Sequence, residues 1–92
     1  MAYNESIRLK PDTVDAHIHI AIAYSYEKRP DDAIKALREA IRLQPDSDVA
    51  YHNLGMTYLE VKNKSQAMEQ YRQLQRLKSE LAAKLLDEIN SR

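Results

Sequence analysis

The chain repeats itself at an offset of 34 residues, and this period constrains the fold more than any other feature of the sequence. Residues 1–13 laid over residues 35–47 give seven identities in thirteen positions: Ala2/Ala36, Glu5/Glu39, Ile7/Ile41, Arg8/Arg42, Leu9/Leu43, Pro11/Pro45 and Asp12/Asp46. Chance gives about one. At the same offset Ala16, Tyr24, Lys28, Ala33, Arg38, Arg42 and Leu43 meet Ala50, Tyr58, Lys62, Ala67, Arg72, Arg76 and Leu77. The period then ends, since residues 82–92 share nothing with residues 48–58. A unit of this length cannot bury its apolar face alone. Copies must stack and bury a continuous core between neighbours.

The repeating unit is helical. One glycine in 92 residues is too few for strands joined by tight turns. His17, Ile20, Ala21 and Tyr24 have the spacing of one helix face, as do Ala33, Leu37, Ala40 and Ile41. Asp12, Asp46 and Ser79 suit N-caps, where a side-chain oxygen accepts a free first-turn N–H. Pro30 suits a first helical position, where its missing N–H has no bond to lose. Pro11 and Pro45 end helices. These signals predict six helices, at about 2–9, 13–27, 30–43, 47–61, 64–77 and 80–90. Short loops make consecutive helices antiparallel neighbours.

A two-helix period of this length resembles the tetratricopeptide repeat, whose signature is W-x2-L-G-x2-Y, then A-x3-F, then P. In residues 48–81 it reads Tyr51, Leu54, Gly55, Tyr58, Ala67 and Tyr71, with Ser79 in the Pro position. In residues 14–47 it reads His17, Ile20, Ala21, Tyr24, Ala33, Leu37 and Pro45. The resemblance implies an all-α fold of antiparallel helix pairs stacked as a short right-handed α-solenoid. The 1–92 chain then divides into a half repeat (1–13, second helix only), repeats at 14–47 and 48–81, and 82–92 as part of a C-terminal capping helix. In the cap, Leu81, Leu85, Leu86 and Ile89 share one face, and Lys84, Asp87, Glu88 and Arg92 lie on others. Ala21, Gly55, Ala33 and Ala67 are small enough for helix backbones to approach closely.

The resemblance also implies a protein–protein interaction module, part of a larger scaffold or assembly protein. Its groove is lined by the first helix of each repeat and takes a peptide or helix of a partner. On helix 13–27 the groove stripe includes Ile18, His19, Ile22 and Tyr26. On helix 47–61 it includes Val49, His52, Asn53, Met56 and Leu59. Helix 13–27 is apolar on two faces, more than a one-sided surface helix needs. The competing reading has these side chains packing on each other or on the cap. Some family members clamp a C-terminal carboxylate with Lys, Asn and Arg on this face. Here Asn53 matches, but Ile18, Ile22, Ala83 and Asp87 stand where the other clamp residues belong. No such clamp is therefore expected. A second function remains open: a homodimer formed through an N-terminal face carrying Tyr3 and Ile7.

Composition narrows the remaining classes. Fourteen Lys plus Arg balance fourteen Asp plus Glu, and a polyanion-binding chain usually needs a basic excess. Residues 62–78 do hold a local excess of four positive charges, from Lys62, Lys64, Arg72, Arg76 and Lys78 against Glu69. This reads first as a solvated convex face, with RNA binding the less favoured alternative. With no cysteine, disulfides, thiolate zinc sites and Cys nucleophiles are excluded. His17 and His19 lie about 200° apart around a helix and cannot share a metal. His19 and His52 have no further ligand in view, so no metal and no cofactor is expected. No nucleophile with a base and orienter is evident, and no enzyme activity is expected. The longest apolar run is Ile20 to Tyr24, and no leader-like segment opens the chain. Neither a membrane span nor a signal peptide is expected. The compartment stays unassigned, with the cytoplasm the simpler reading.

Overall fold

The computed structural model describes residues 14–92. They form five helices: α1 Val14–Tyr26, α2 Pro30–Leu43, α3 Asp48–Glu60, α4 Lys64–Arg76 and α5 Leu81–Ser91. Each lies within a residue of its predicted bounds. The predicted helix 2–9, the half repeat 1–13 with its Asp12 cap, and the candidate face of Tyr3 and Ile7 lie outside the described residues. No strand occurs among the described residues. No described helix is long and apolar enough to cross a membrane.

Helices α1 and α2 pack as one pair and α3 and α4 as the next, with α2 against α3 joining them. α5 packs on both α3 and α4. It occupies the place a further repeat's first helix would take. The result is an all-helical repeat stack. The two kinds of helix differ in pattern. α2, α4 and α5 carry one-sided apolar stripes, whereas α1 and α3 are apolar around much of their circumference. First helices are covered on more than one side, so a single stripe does not suffice for them.

The core follows from that stacking. Leu37, Leu74 and Leu85 are fully buried, one each from α2, α4 and α5. Ala33, Ala40, Ala50 and Ala67 are completely enclosed and set the close approach of the helices. Tyr51, Leu54 and Tyr58 of α3 are buried, while the corresponding His17, Ile20 and Tyr24 of α1 are half-buried. The two core tyrosines keep their hydroxyls satisfied. Arg38 donates to the Tyr58 hydroxyl at 2.7 Å, and Tyr51 donates to the Pro45 carbonyl at 2.9 Å. The cap buries Ala82, Leu85 and Ile89, with Leu81 and Leu86 half-buried beside them.

Three helix ends are closed in the same way. After α1, Arg29 N–H bonds the Tyr24 carbonyl at 2.8 Å. After α3, Asn63 N–H bonds the Tyr58 carbonyl at 2.8 Å, and after α4, Ser79 N–H bonds the Leu74 carbonyl at 3.0 Å. These are the six-to-one bonds of Schellman closures, which need a left-handed residue just before the donor. Lys28, Lys62 and Lys78 take that role, with φ of 59°, 61° and 56°. Helix starts correct two sequence expectations. The N-cap of α3 is Ser47, not Asp46; its hydroxyl accepts from Ala50 N–H at 3.3 Å. Ser79 is not the N-cap residue of α5, which is Glu80. Ser79 still accepts from Leu81 N–H at 3.1 Å, and it donates to Asp48 Oδ2 at 2.8 Å. It thereby ties the α4–α5 turn to the start of α3.

Candidate partner-binding groove

The first helices of the two repeats, α1 and α3, meet over a short contact, and a surface depression is lined by residues of both. Its volume is about 420 Å³. Five of the nine residues placed in the groove from sequence line it: Ile22 and Tyr26 from α1, and His52, Asn53 and Met56 from α3. Ser25, Thr57, Glu60 and Arg92 complete the lining. Ile22 and Met56 are half-buried and rest on the core, so they form a firm apolar floor. Tyr26 is 84% exposed and stands at the rim.

The other four sequence candidates are placed differently. Ile18 and Leu59 are buried at 5% and 4% exposure, within the core cluster. They support the groove from beneath and offer a partner little surface. The competing reading of mutual packing therefore applies to these two. His19 and Val49 are exposed, one turn or more nearer the helix starts, and do not line the depression.

The polar groups of the groove are partly engaged. Asn53 Nδ2 donates to the Val49 carbonyl at 3.0 Å, along its own helix. That leaves its other amide hydrogen and its side-chain oxygen. Thr57 Oγ1 donates to the Asn53 carbonyl at 2.9 Å and closes the helix backbone at the floor. Burial lowers the His52 pKa from its ordinary 6.5 and the positive Lys84 lowers it further, while Glu88 and Asp48 oppose them. His52 is thus biased toward its neutral form, a donor and acceptor beside an apolar floor. Thr57 and Arg92 also line the groove, although the sequence pattern does not mark them. Thr57 repeats Ala23 and carries no groove signal, and Arg92 belongs to the cap, beyond the period.

Two adjoining depressions, the groove's branches, share Glu60 and Arg92 with it. One branch is lined by Ser25, Lys28 and Pro30, the other by Leu59, Lys62 and Lys64. Arg92 is placed by two contacts: its guanidinium reaches Glu88 at 3.3 Å, and its carbonyl accepts from Lys64 Nζ at 2.7 Å. No group of three or more His, Asp or Glu side chains suited to a metal ion occurs among the described residues.

Models of the tetratricopeptide repeat match residues 14–47 and residues 36–71. Together they span residues 14–71, more than half of the 92-residue chain. No curated protein matches the chain.

Proposed function

Because the chain belongs to the tetratricopeptide repeat family, whose repeats are in general protein–protein interaction modules, we propose that the groove beside α1 and α3 holds a partner's peptide or helix. One observation carries this reading. The depression is lined by Ile22, Tyr26, His52, Asn53 and Met56, five residues of the stripe that the repeat resemblance implies for a groove. The floor is apolar and half-buried, and its rim offers an aromatic ring, an imidazole and an amide. That is the composition of a recognition pocket, in which apolar contact supplies affinity and a few polar groups fix orientation. The helices beneath are already packed, so little ordering cost falls on the protein when a partner segment settles. The module acts within a larger scaffold or assembly protein.

The test begins with peptides of random sequence displayed on phage and selected on the folded protein. Selected peptides should lose affinity at least tenfold on Met56→Asp or Ile22→Asp, with circular dichroism showing helicity retained. Arg72→Glu, on exposed α4, should leave affinity unchanged. Peptides indifferent to both groove variants would refute the assignment.

A further inference from the structure

The groove is electrically lopsided, and this says what its partner carries. Both branches end on lysine: Lys28 in one, Lys62 and Lys64 in the other. Glu60 is the one acidic residue lining either branch. Lys28 and Lys62 occupy the same repeat position, 34 residues apart. Neither has an ion-pair or hydrogen-bonding partner for its ammonium group among the described residues. The nearby arginines differ: Arg29 pairs with Asp32 at 2.8 Å, and Arg92 pairs with Glu88. Lys78, the third left-handed lysine, lies across the molecule among Asp46, Asp48 and Glu80. Three carboxylates and one further cation, Lys84, line the depression with it. In their branches Lys28 and Lys62 share a single carboxylate, that of Glu60.

The backbone at these two lysines follows from the helix closures, which Lys78 shares, and fixes where the turns present them. Both sit at left-handed φ, where glycine fits without steric cost and a side chain does not. We infer that the partner segment carries an acidic cluster next to its apolar anchor, its apolar side chains on Ile22 and Met56 and its carboxylates over Lys28, Lys62 and Lys64. This rests on the groove reading and names its partner chemistry. The recognition differs from a clamp on the groove floor. Lys28 and Lys62 stand at the turns that end the first helices and Lys64 at the start of α4, so acidic side chains serve as well as a chain terminus.

The same phage-displayed random peptides test it. Peptides that bind at low salt should be enriched in Asp or Glu on one side of an apolar residue. The double variant Lys28→Glu/Lys62→Glu should weaken them at least tenfold at low salt and less in high salt, because exposed charges are screened. Lys28→Gln/Lys62→Gln should give an intermediate loss, and Lys35→Glu on α2 should give none. Binders without acidic enrichment, or binders indifferent to charge reversal yet sensitive to Met56→Asp, would overturn the inference and leave the groove standing. Binders indifferent to Met56→Asp would overturn the groove itself.

Discussion

Gly55 lies directly beneath Leu85: a Cβ at position 55 would fall 2.6 Å from Leu85 Cδ2 and 2.9 Å from Cδ1. The chain's one glycine is therefore explained by the capping helix, because α5 seats a fully buried leucine against the α3 backbone. Helix propensity opposes this, since glycine inside a helix costs roughly 1 kcal/mol relative to alanine. Gly55→Leu should destabilise the fold by about 1–3 kcal/mol through overpacking. Pairing it with Leu85→Ala should return part of that loss. Urea melts of the two singles and the double measure the coupling, and strictly additive losses would contradict the contact.

The turn after α4 supplies a second test. Ser79 bridges Asp48 Oδ2 and Leu81 N–H, so one hydroxyl fixes the cap to the second repeat. Ser79→Ala should cost about 1–2 kcal/mol, combining a charged hydrogen bond with the loss of a terminal acceptor. In a double-mutant cycle with Asp48→Ala the coupling should be about 1 kcal/mol. A coupling of zero would mean that the two side chains act separately.

The left-handed lysines predict gains in stability. Lys62→Gly should raise stability by about 0.5–1 kcal/mol, the relief at positive φ outweighing the added freedom of the unfolded chain. Lys62→Val, β-branched at the same φ, should lower it. Thermal melts of the two variants should move in opposite directions. If Lys62 serves the partner, the stabilised glycine variant should bind selected acidic peptides more weakly.

His52 predicts a pH dependence. Its folded pKa lies below the 6.5 of the free side chain, chiefly because burial disfavours the charged ring. The unfolded chain then binds the proton more readily than the folded one. The His52 contribution is fully present above pH 6.5 and falls as pH drops through 6.5 toward the depressed folded value. Urea midpoints should therefore decrease between pH 7.5 and pH 5.5, above the range in which carboxylates titrate. His52→Gln should decrease less over the same interval. Equal decreases would assign the slope to other groups.

Much of the fold is legible in the sequence because the repeat states it twice. Tyr24 and Tyr58, Ala33 and Ala67, and Lys28 and Lys62 mark the same places in successive units, and α1 to α4 fall where they put them. Cap identities are harder to read. Asp46 and Ser47 are adjacent capable acceptors, and one residue of helix phase decides between them. The groove is half legible for a related reason. Both faces of α1 and α3 are apolar, so helical spacing gives the angle of Ile18 and Leu59 but not what covers them. Their burial becomes visible only when neighbouring helices are in place. Arg92 enters the groove through the packing of α5, which no repeat period foretells.

The central claim is that partner segments settle on Met56 and Ile22. Methyl NMR of the protein labelled at methionine tests it most directly, because Met56 lines the groove while Met68 sits on α4, outside its lining. Titration with a selected peptide should shift and saturate the Met56 methyl resonance and leave that of Met68 in place. A shifted Met68 with an unmoved Met56 would place the partner on the second helices and contradict the account.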